Sequence, residues 1–327
     1  MRRPARYWMC ALAALTAFAC NRSGDAESQA KLGSSEPSSA GLTKLTVAAI
    51  AIVDVAPLHL GKAKGFFAAE GLDVTVQSTL GGAESVPGVV SGQYQLAFAN
   101  VISLLLAHSK GLPLKVIAAG DFSTGKAEDF SAVLVPAGSS VKTLKDLEGK
   151  ALAVNQINNI GGVTIRAEMR SAGGDPNKLR FVELRFPEMP AALGQKHVDA
   201  AWVVEPFLTV ARGQGAQVIS WNFADTAIPV LMVGAYFTTA EYQQSHPDVV
   251  KRFTAAINKS LTYASEHPDE VRAILPTYTK IDKAVADKLN LPRWSAQIDR
   301  ASMELLGSFM VEDKLVSSAP NLDALVQ

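Results

Sequence analysis

Residues 45–52, Leu45-Thr46-Val47-Ala48-Ala49-Ile50-Ala51-Ile52, form an almost unbroken apolar run. A strand covered by helices on both faces reads this way, whereas a half-exposed strand alternates apolar and polar side chains. Residues 57–67 follow with apolar side chains at near-helical spacing, Gly65 marks the end of that helix, and a strand resumes over 72–76. The rhythm continues with a helix over 83–90, a strand over 95–99, a helix over 102–109 closed by Gly111, and strands over 114–119 and 131–135. It then repeats: a short helix over 143–147 with Thr143 as its N-cap, a strand over 151–154, and a helix over 162–171 ending before Gly173-Gly174. A strand over 178–184, a helix over 190–196 and strands over 198–204 and 216–219 complete the second stretch. This alternation predicts an α/β fold of parallel, doubly wound sheets. From residue 239 the pattern turns mainly helical. His246-Pro247-Asp248 and His267-Pro268-Asp269 each place Pro and an acid where a helix starts, and no third partner stands at metal spacing, so both histidines read as helix starts.

A chain of 327 residues accommodates one large domain or two of ordinary size. Apolar residues make up 48% and charged residues 19%, a globular composition, and 31 basic residues balance 31 acidic ones. That balance leaves no net field for a polyanion and argues against a nucleic-acid partner. The two cysteines, Cys10 and Cys20, both precede the folded body, which removes disulfides, Cys-ligated metals and cysteine nucleophiles from it.

Arg2, Arg3 and Arg6 precede an uncharged, mostly apolar stretch over 7–19 that suits the hydrophobic region of an export signal and is too short to span a bilayer. It ends in Ala17-Phe18-Ala19-Cys20, either an ordinary signal-peptidase site or a lipobox with Ala17 in place of the usual Leu. Both readings cut before Cys20. Residues 21–41 are rich in Ser, Gly, Ala and acids, with Leu32 as the one large apolar side chain, and read as a flexible tether. A tether directly after Cys20 favours the lipid anchor, and the expected location is the extracytoplasmic face of the cell membrane or the periplasm.

Two segments look like one part used twice. Residues 92–100 (GQYQLAFAN) and 196–204 (KHVDAAWVV) each follow a short helix and become an apolar strand with one aromatic, the first ending at Asn100 and the second running on to Glu205-Pro206. In open α/β sheets the carboxyl ends of strands line the ligand crevice, so two such lobes describe a clamp for a small molecule. Further motifs carry a family resemblance: Ala56-Pro57-Leu58, then residues 65–74 (GFFAAEGLDV), Ser91-Gly92, residues 97–100 (AFAN), residues 146–150 (DLEGK), residues 198–201 (VDAA) and Glu205-Pro206. Over residues 45–275 the chain resembles the substrate-binding proteins of bacterial ABC importers in the nitrate/sulfonate/taurine/thiamine-precursor group, the SsuA/THI5-like (NMT1-like) family. Lys196 departs from the pattern, since the family commonly has Gly there. The resemblance implies a type II periplasmic-binding-protein fold, two doubly wound α/β lobes joined by two crossovers with a ligand cleft between them. The expected division is a signal over 1–19, anchor and tether over 20–42, lobe one over 43–133, lobe two over 134–232, and a return to lobe one with C-terminal helices over 233–327. The implied function is that of a monomeric receptor that delivers a small molecule to permease and ATPase subunits.

Asp54 follows the first strand among apolar neighbours, where the family commonly meets its ligand; it is an acceptor for an N–H, O–H or cationic group, or else a cap of the next helix. Asn100 at a strand end offers both donor and acceptor. Residues 155–162 (NQINNIGG) precede a helix whose amides suit an anionic or carbonyl oxygen, which makes Asn158, Gly161, Gly162 and Thr164 candidates. Glu205 faces the cleft or ties the hinge. Phe98 and Trp202 read as core, and Phe122 and Phe207 as packing or as stacking surfaces for a flat ligand. With two acids and no obligatory Arg, the set leans toward a neutral or nitrogen-bearing organic ligand rather than a small strong anion. No cofactor or metal is expected. An enzyme on the same fold is the alternative, but the cysteine-rich motif of the related fungal pyrimidine-precursor synthases has no counterpart after Cys20. His59, His108, His197, His246 and His267 accompany no nucleophile motif. A sensor subunit using the same clamp would read alike.

Overall fold

The structure is a computed structural model and describes residues 41–228 and 230–326. The expected export signal, Cys20 and nearly all of the expected tether lie outside the described residues. The first sheet takes β1 (Thr43–Ile50), β2 (Leu72–Thr79), β3 (Leu96–Asn100) and β4 (Leu114–Ala119). A two-residue strand, β5 (Asp121–Phe122), comes next. The second sheet is built from β6 (Ser131–Val135), β7 (Ala151–Val154), β8 (Arg180–Glu183), β9 (Ala200–Val204) and β10 (Gln217–Ser220). The chain then returns to the first sheet as β11 (Gly234–Thr239), and β12 (Arg293–Trp294) pairs with β5.

The strand orders are β2-β1-β3-β11-β4 and β8-β7-β9-β6-β10. They are one pattern written twice. β3 and β9, the two segments whose sequences match, hold equivalent central places, each between a parallel neighbour and an antiparallel one. The antiparallel strands depart from the all-parallel expectation, and β11 has no counterpart among the expected strands. The register supplies the reason. β6 enters with Ser131 opposite Val204, the last residue of β9, and β11 enters with Gly234 opposite Asn100, the last residue of β3. Each crossing therefore leaves one sheet at its carboxyl edge and enters the other at its carboxyl edge, so the entering strand runs against its neighbour. The boundary expected at 133/134 falls inside β6; the first crossing occupies 123–130 instead.

Helices cover the sheets because the strands bury both faces: β6, β7 and β9 have no exposed residue. The longest, Pro247–Glu266, turns Val249, Phe253, Ala256, Ile257, Ser260, Leu261 and Ala264 inward at helical spacing. It packs on the helix Ala56–Ala63, and a side chain at Gly61 would overlap Ser260. Pro247 and Pro268 do begin helices, each preceded by its histidine. His246 and His267 stack on Tyr242 and Tyr263 at 4.4 and 3.8 Å.

Lys196, in the turn before β9, adopts φ 57°, the left-handed region that glycine occupies without a side-chain penalty. A non-glycine residue there costs about 1–2 kcal/mol, part of which glycine returns through its greater freedom in the unfolded chain. Lys196→Gly is therefore expected to raise stability by roughly 0.5 kcal/mol and Lys196→Val to lower it by about 1 kcal/mol. Urea denaturation of the two variants checks this; a glycine variant weaker than the parent would show that the turn is unstrained.

Candidate ligand-binding site

The shared carboxyl edges leave a cleft between the sheets. Its outer part, about 560 Å³, is walled by Ser78, Thr79 and Leu80 from the end of β2, by Asn155 and Gln156 after β7, and by Glu183, Arg185 and Phe186 around the end of β8. Tyr278, Thr279 and Lys280 close one side. Such a volume suits a small organic molecule, for which pockets of roughly 300–1,000 Å³ are usual. Beneath lies an inner cavity of about 30 Å³ that shares Ile50, Ile52, Asn155 and Phe186 with the outer part. Phe98, Phe186, Trp202 and Phe223 give it aromatic walls, and Asp54, Asn100, Asn155 and Asn159 are its polar side chains.

Asp54 sits in the single helical turn Val53–Val55 directly after β1. Trp294 Nε1 donates to its carbonyl at 3.0 Å, which anchors the turn to β12. Its side chain is 4% exposed, and Oδ1 has no hydrogen-bond partner within the protein. Asp121 of β5 lies against it, fully buried, with neither carboxylate oxygen receiving a donor. Burial pushes Asp54 up to about 7. Burial and then the Asp54 charge push Asp121 well above the carboxylate range, so Asp121 is the acid that keeps its proton and hydrogen-bonds Asp54.

Asn100 both lines the inner cavity and caps a helix. Ser103 N donates to its Oδ1 at 3.0 Å, and its Nδ2 donates to Ser103 Oγ at 3.0 Å, starting the helix Val101–Ser109. Asn158 takes φ 58° in the turn that ends at Asn159, the N-cap of the helix Ile160–Ser171. Asn159, rather than Asn158, lines the cavity; its Nδ2 donates to Asn155 Oδ1 at 3.1 Å and its Oδ1 is left without a partner.

The other expected contacts stand behind these walls. A Cβ at Gly161 would lie 2.3 Å from the Trp202 indole, so this glycine lets the helix start rest on the ring, and Gly162 faces Arg166 and Phe181. Thr164 ends a buried chain: Trp202 Nε1 donates to Ser131 Oγ (2.8 Å), Ser131 to Asn222 Oδ1 (3.0 Å) and Asn222 Nδ2 to Thr164 Oγ1 (2.8 Å). Glu205 is fully buried at the crossing. Its carboxylate accepts from Thr209 N (3.0 Å), Thr209 Oγ1 (2.8 Å) and Asn290 N (3.1 Å), while its carbonyl accepts from Val53 N (3.1 Å). Of its two readings, cleft or hinge, the hydrogen bonds are those of a hinge tie. Phe207 joins the outer wall and Phe122 is buried in β5.

The NMT1/THI5-like family model matches residues 52–271. The chain belongs to that family. Among its relatives is a putative aliphatic sulfonates-binding protein of Bacillus subtilis, 23% identical over 72% of this chain and 70% of the relative. Another is a formylaminopyrimidine-binding protein of Halalkalibacterium halodurans, 24% identical over 67% of this chain and 65% of the relative. The alkanesulfonate-binding protein SsuA of Xanthomonas axonopodis pv. citri bound to MOPS superposes with a TM-score of 0.75 at 16% identity, over 87% of this chain and 98% of that one. The desulfurization enzyme DSZB shares the fold at a TM-score of 0.62 and 14% identity, over 86% of this chain and 95% of that one. The architecture is that of type II periplasmic binding proteins.

In this NMT1/THI5-like chain several site residues escaped the sequence reading. Asp121 carries the signal of Asp54 over again, since an apolar strand ending in Gly120-Asp121 parallels the one ending in Val53-Asp54. Arg185 directly follows the strand expected over 178–184, a signal the reading passed over, whereas Tyr278 and Lys280 lie outside any strand end and reach the cleft only through tertiary folding.

The cleft is bridged from both sides. Ala83 N donates to Gln156 Oε1 at 3.4 Å across its mouth. At its back, Arg166 Nε and Arg170 Nη1 reach Asp313 at 2.6 and 2.5 Å, joining the helix that starts at the cavity to the end of the helix Arg300–Glu312. That second helix packs on Val101–Ser109, behind the first sheet. The Asp313 side chain is 1% exposed. Asp313→Ala strands Arg166, leaves Arg170 with only the more exposed Glu312 and is expected to cost about 3 kcal/mol, while the milder Asp313→Asn loosens closure. Small-angle scattering of Asp313→Asn should show a larger radius of gyration; an unchanged radius would mean that the bridge does not hold the lobes together.

Five acids raised by burial set the pH response, against the opposing effect of His59, which burial lowers to about 4. Burial raises Asp54, Glu168 and Glu205 to about 7 and Asp129 to about 6, so the folded protein holds protons that the unfolded chain has already released. Stability therefore falls as pH rises from the ordinary carboxylate values toward about 7, and goes on falling above it through Asp121, while His59 offsets part of the fall on the acid side. The melting temperature is expected to be higher near pH 5 than near pH 8, with Glu168→Gln flattening the slope. A melting temperature that climbs over this interval would contradict the assignment.

Proposed function

We propose that this protein is an extracytoplasmic solute-binding receptor that captures a small organic molecule by two-lobe closure and delivers it to the permease and ATPase subunits of an ABC importer. The observation that carries the reading is the cleft between the carboxyl edges of two sheets, large enough for a small molecule and holding buried, unpartnered polar atoms at its base. Family membership and the binding functions named for its relatives support it. In this reading the lobes are the two sheets with their helices, and the crossings tied by Glu205 are the hinge.

The ligand lies across the aromatic walls and meets Asp54, Asn100 and Asn159. Unpartnered acceptor atoms on Asp54 and Asn159 favour a nitrogen-bearing or hydroxyl-bearing molecule over a small strong anion. The protein binds its ligand as a monomer and releases it unchanged. Cys20 carries the lipid that holds the receptor to the membrane, and among the described residues no helix is long and apolar enough to cross one.

Native mass spectrometry of residues 42–327 is expected to reveal a co-purified small molecule, and adding a binder at a hundredfold excess over its Kd is expected to stabilise the fold by about 2.7 kcal/mol. The ligand's mass should stay constant on incubation. Turnover of the bound compound would replace the receptor with an enzyme, and absence of both adduct and thermal shift across sulfonates, nitrate, pyrimidines and aromatic acids would defeat the small-molecule reading.

A further inference from the structure

Asp54, an acid that lines the inner cavity, has a second acid, Asp121, against it and no cation beside it. Asp54 and Asp121 are in contact and almost fully buried. The titratable groups that act on them come from every side: Asp129 from the first crossing, Tyr236 from β11 and Tyr278 from the C-terminal helices. None is Lys, Arg or His. Trp294 of β12 donates only to the Asp54 backbone. Arg185 and Lys280, the cations of the outer cleft, are exposed at its walls and are not among the groups that shift Asp54. Apart from the hydrogen bond that the two acids share, Asp54 Oδ1, both Asp121 oxygens and the Tyr236 hydroxyl have no hydrogen-bond partner within the protein.

Buried carboxyls in proteins are almost always paired with a cation or neutralised by a proton. Here only the proton is available from the protein itself. Glu205 offers the contrast within the same molecule: equally buried, it is satisfied by three donors of its own chain. Asp54 differs in lining the cavity where a ligand enters.

We propose that the ligand supplies the missing charge: a cationic nitrogen, as in an amine, an amidinium or a protonated ring nitrogen, docks on Asp54 Oδ1 and displaces the Asp54 proton to solvent. Asp121 keeps its own proton, directs it in a hydrogen bond to Asp54 and so acts as the positioning residue. The assignment rests on the cleft being the ligand site and narrows the ligand from nitrogen-bearing molecules in general to organic cations. With Asp54 held near 7, binding releases a proton below neutrality and none above it.

Three benzene derivatives suited to the aromatic walls test this: benzamidine (cation), its planar isostere benzamide (neutral) and benzenesulfonate (anion), titrated calorimetrically in two buffers of different ionisation enthalpy. Benzamidine is expected to bind about tenfold more tightly near pH 8 than near pH 6 and to release roughly one proton at the lower pH. Asp54→Asn, nearly isosteric and relieved of a buried charge, should stay folded and lose the preference for benzamidine over benzamide. A readout without any ligand comes from infrared spectra of Asp-labelled protein: a protonated-carboxyl band near pH 6 that Asp121→Asn diminishes. Absence of that band, or benzamidine binding with no proton released, overturns the proton exchange. Saturable binding of benzamide or benzenesulfonate but not benzamidine overturns the cation and leaves the receptor standing. Failure of all three probes, together with no co-purified adduct, removes both readings.

Discussion

Ser131 pairs with Val204 and Gly234 pairs with Asn100, and from these two registers most of the functional architecture follows. A strand that enters a sheet opposite the last residue of its neighbour has arrived from that sheet's carboxyl edge. Because both crossings obey this rule, the two carboxyl edges face each other, and the loops that leave the parallel strands meet in one cleft. The hinge, the cavity floor and the helix starts are therefore consequences of where two strands begin. Glu205 reinforces the arrangement by tying Val53, Thr209 and Asn290 to the crossing through its own carbonyl and carboxylate.

The same geometry concentrates polar residues where water is excluded. Strand ends are where apolar runs stop, so Asp54, Asn100, Asp121 and Glu205 all fall at the junction of the lobes. The protein treats them differently. Asn100 turns its side chain back to cap a helix, Glu205 finds donors within the chain, and Asn222, Ser131 and Thr164 form a closed chain behind Trp202. Asp54, Asp121 and Asn159 keep atoms unsatisfied next to the cavity. Unsatisfied buried polar atoms are rare in folded proteins, and their clustering at a cleft is what separates a binding site from a structural junction.

Much of the scaffold was readable from local pattern. The apolar runs of β4, β6 and β7 coincide with the strands expected for them, and Thr143 and Pro247 mark helix starts as their chemistry requires. The likeness between 92–100 and 196–204 anticipated two strands with equivalent places in two sheets. β11 was missed because its sequence, Gly-Ala-Tyr-Phe-Thr-Thr, is short and sits between an irregular segment and a helix. Strand direction was missed for a deeper reason, since hydrophobic periodicity is the same for a strand read either way.

The amino-acid sequence by itself determined the α/β class, the twofold use of one strand motif and the exclusion of cysteine chemistry from the folded body. It also placed Asn100 at a strand end and Asp54 just after one, since the change from apolar to polar is a local signal. Tertiary structure alone decided which polar groups meet and which are satisfied. Asp54 and Asp121 are separated by sixty-seven positions in the chain (121 − 54) yet share a buried contact. Thr164 and Glu205, both plausible as ligand contacts in sequence, are turned to partners within the chain. Hydrogen bonding and desolvation depend on neighbours brought together across the sheets, and no window along the chain contains them.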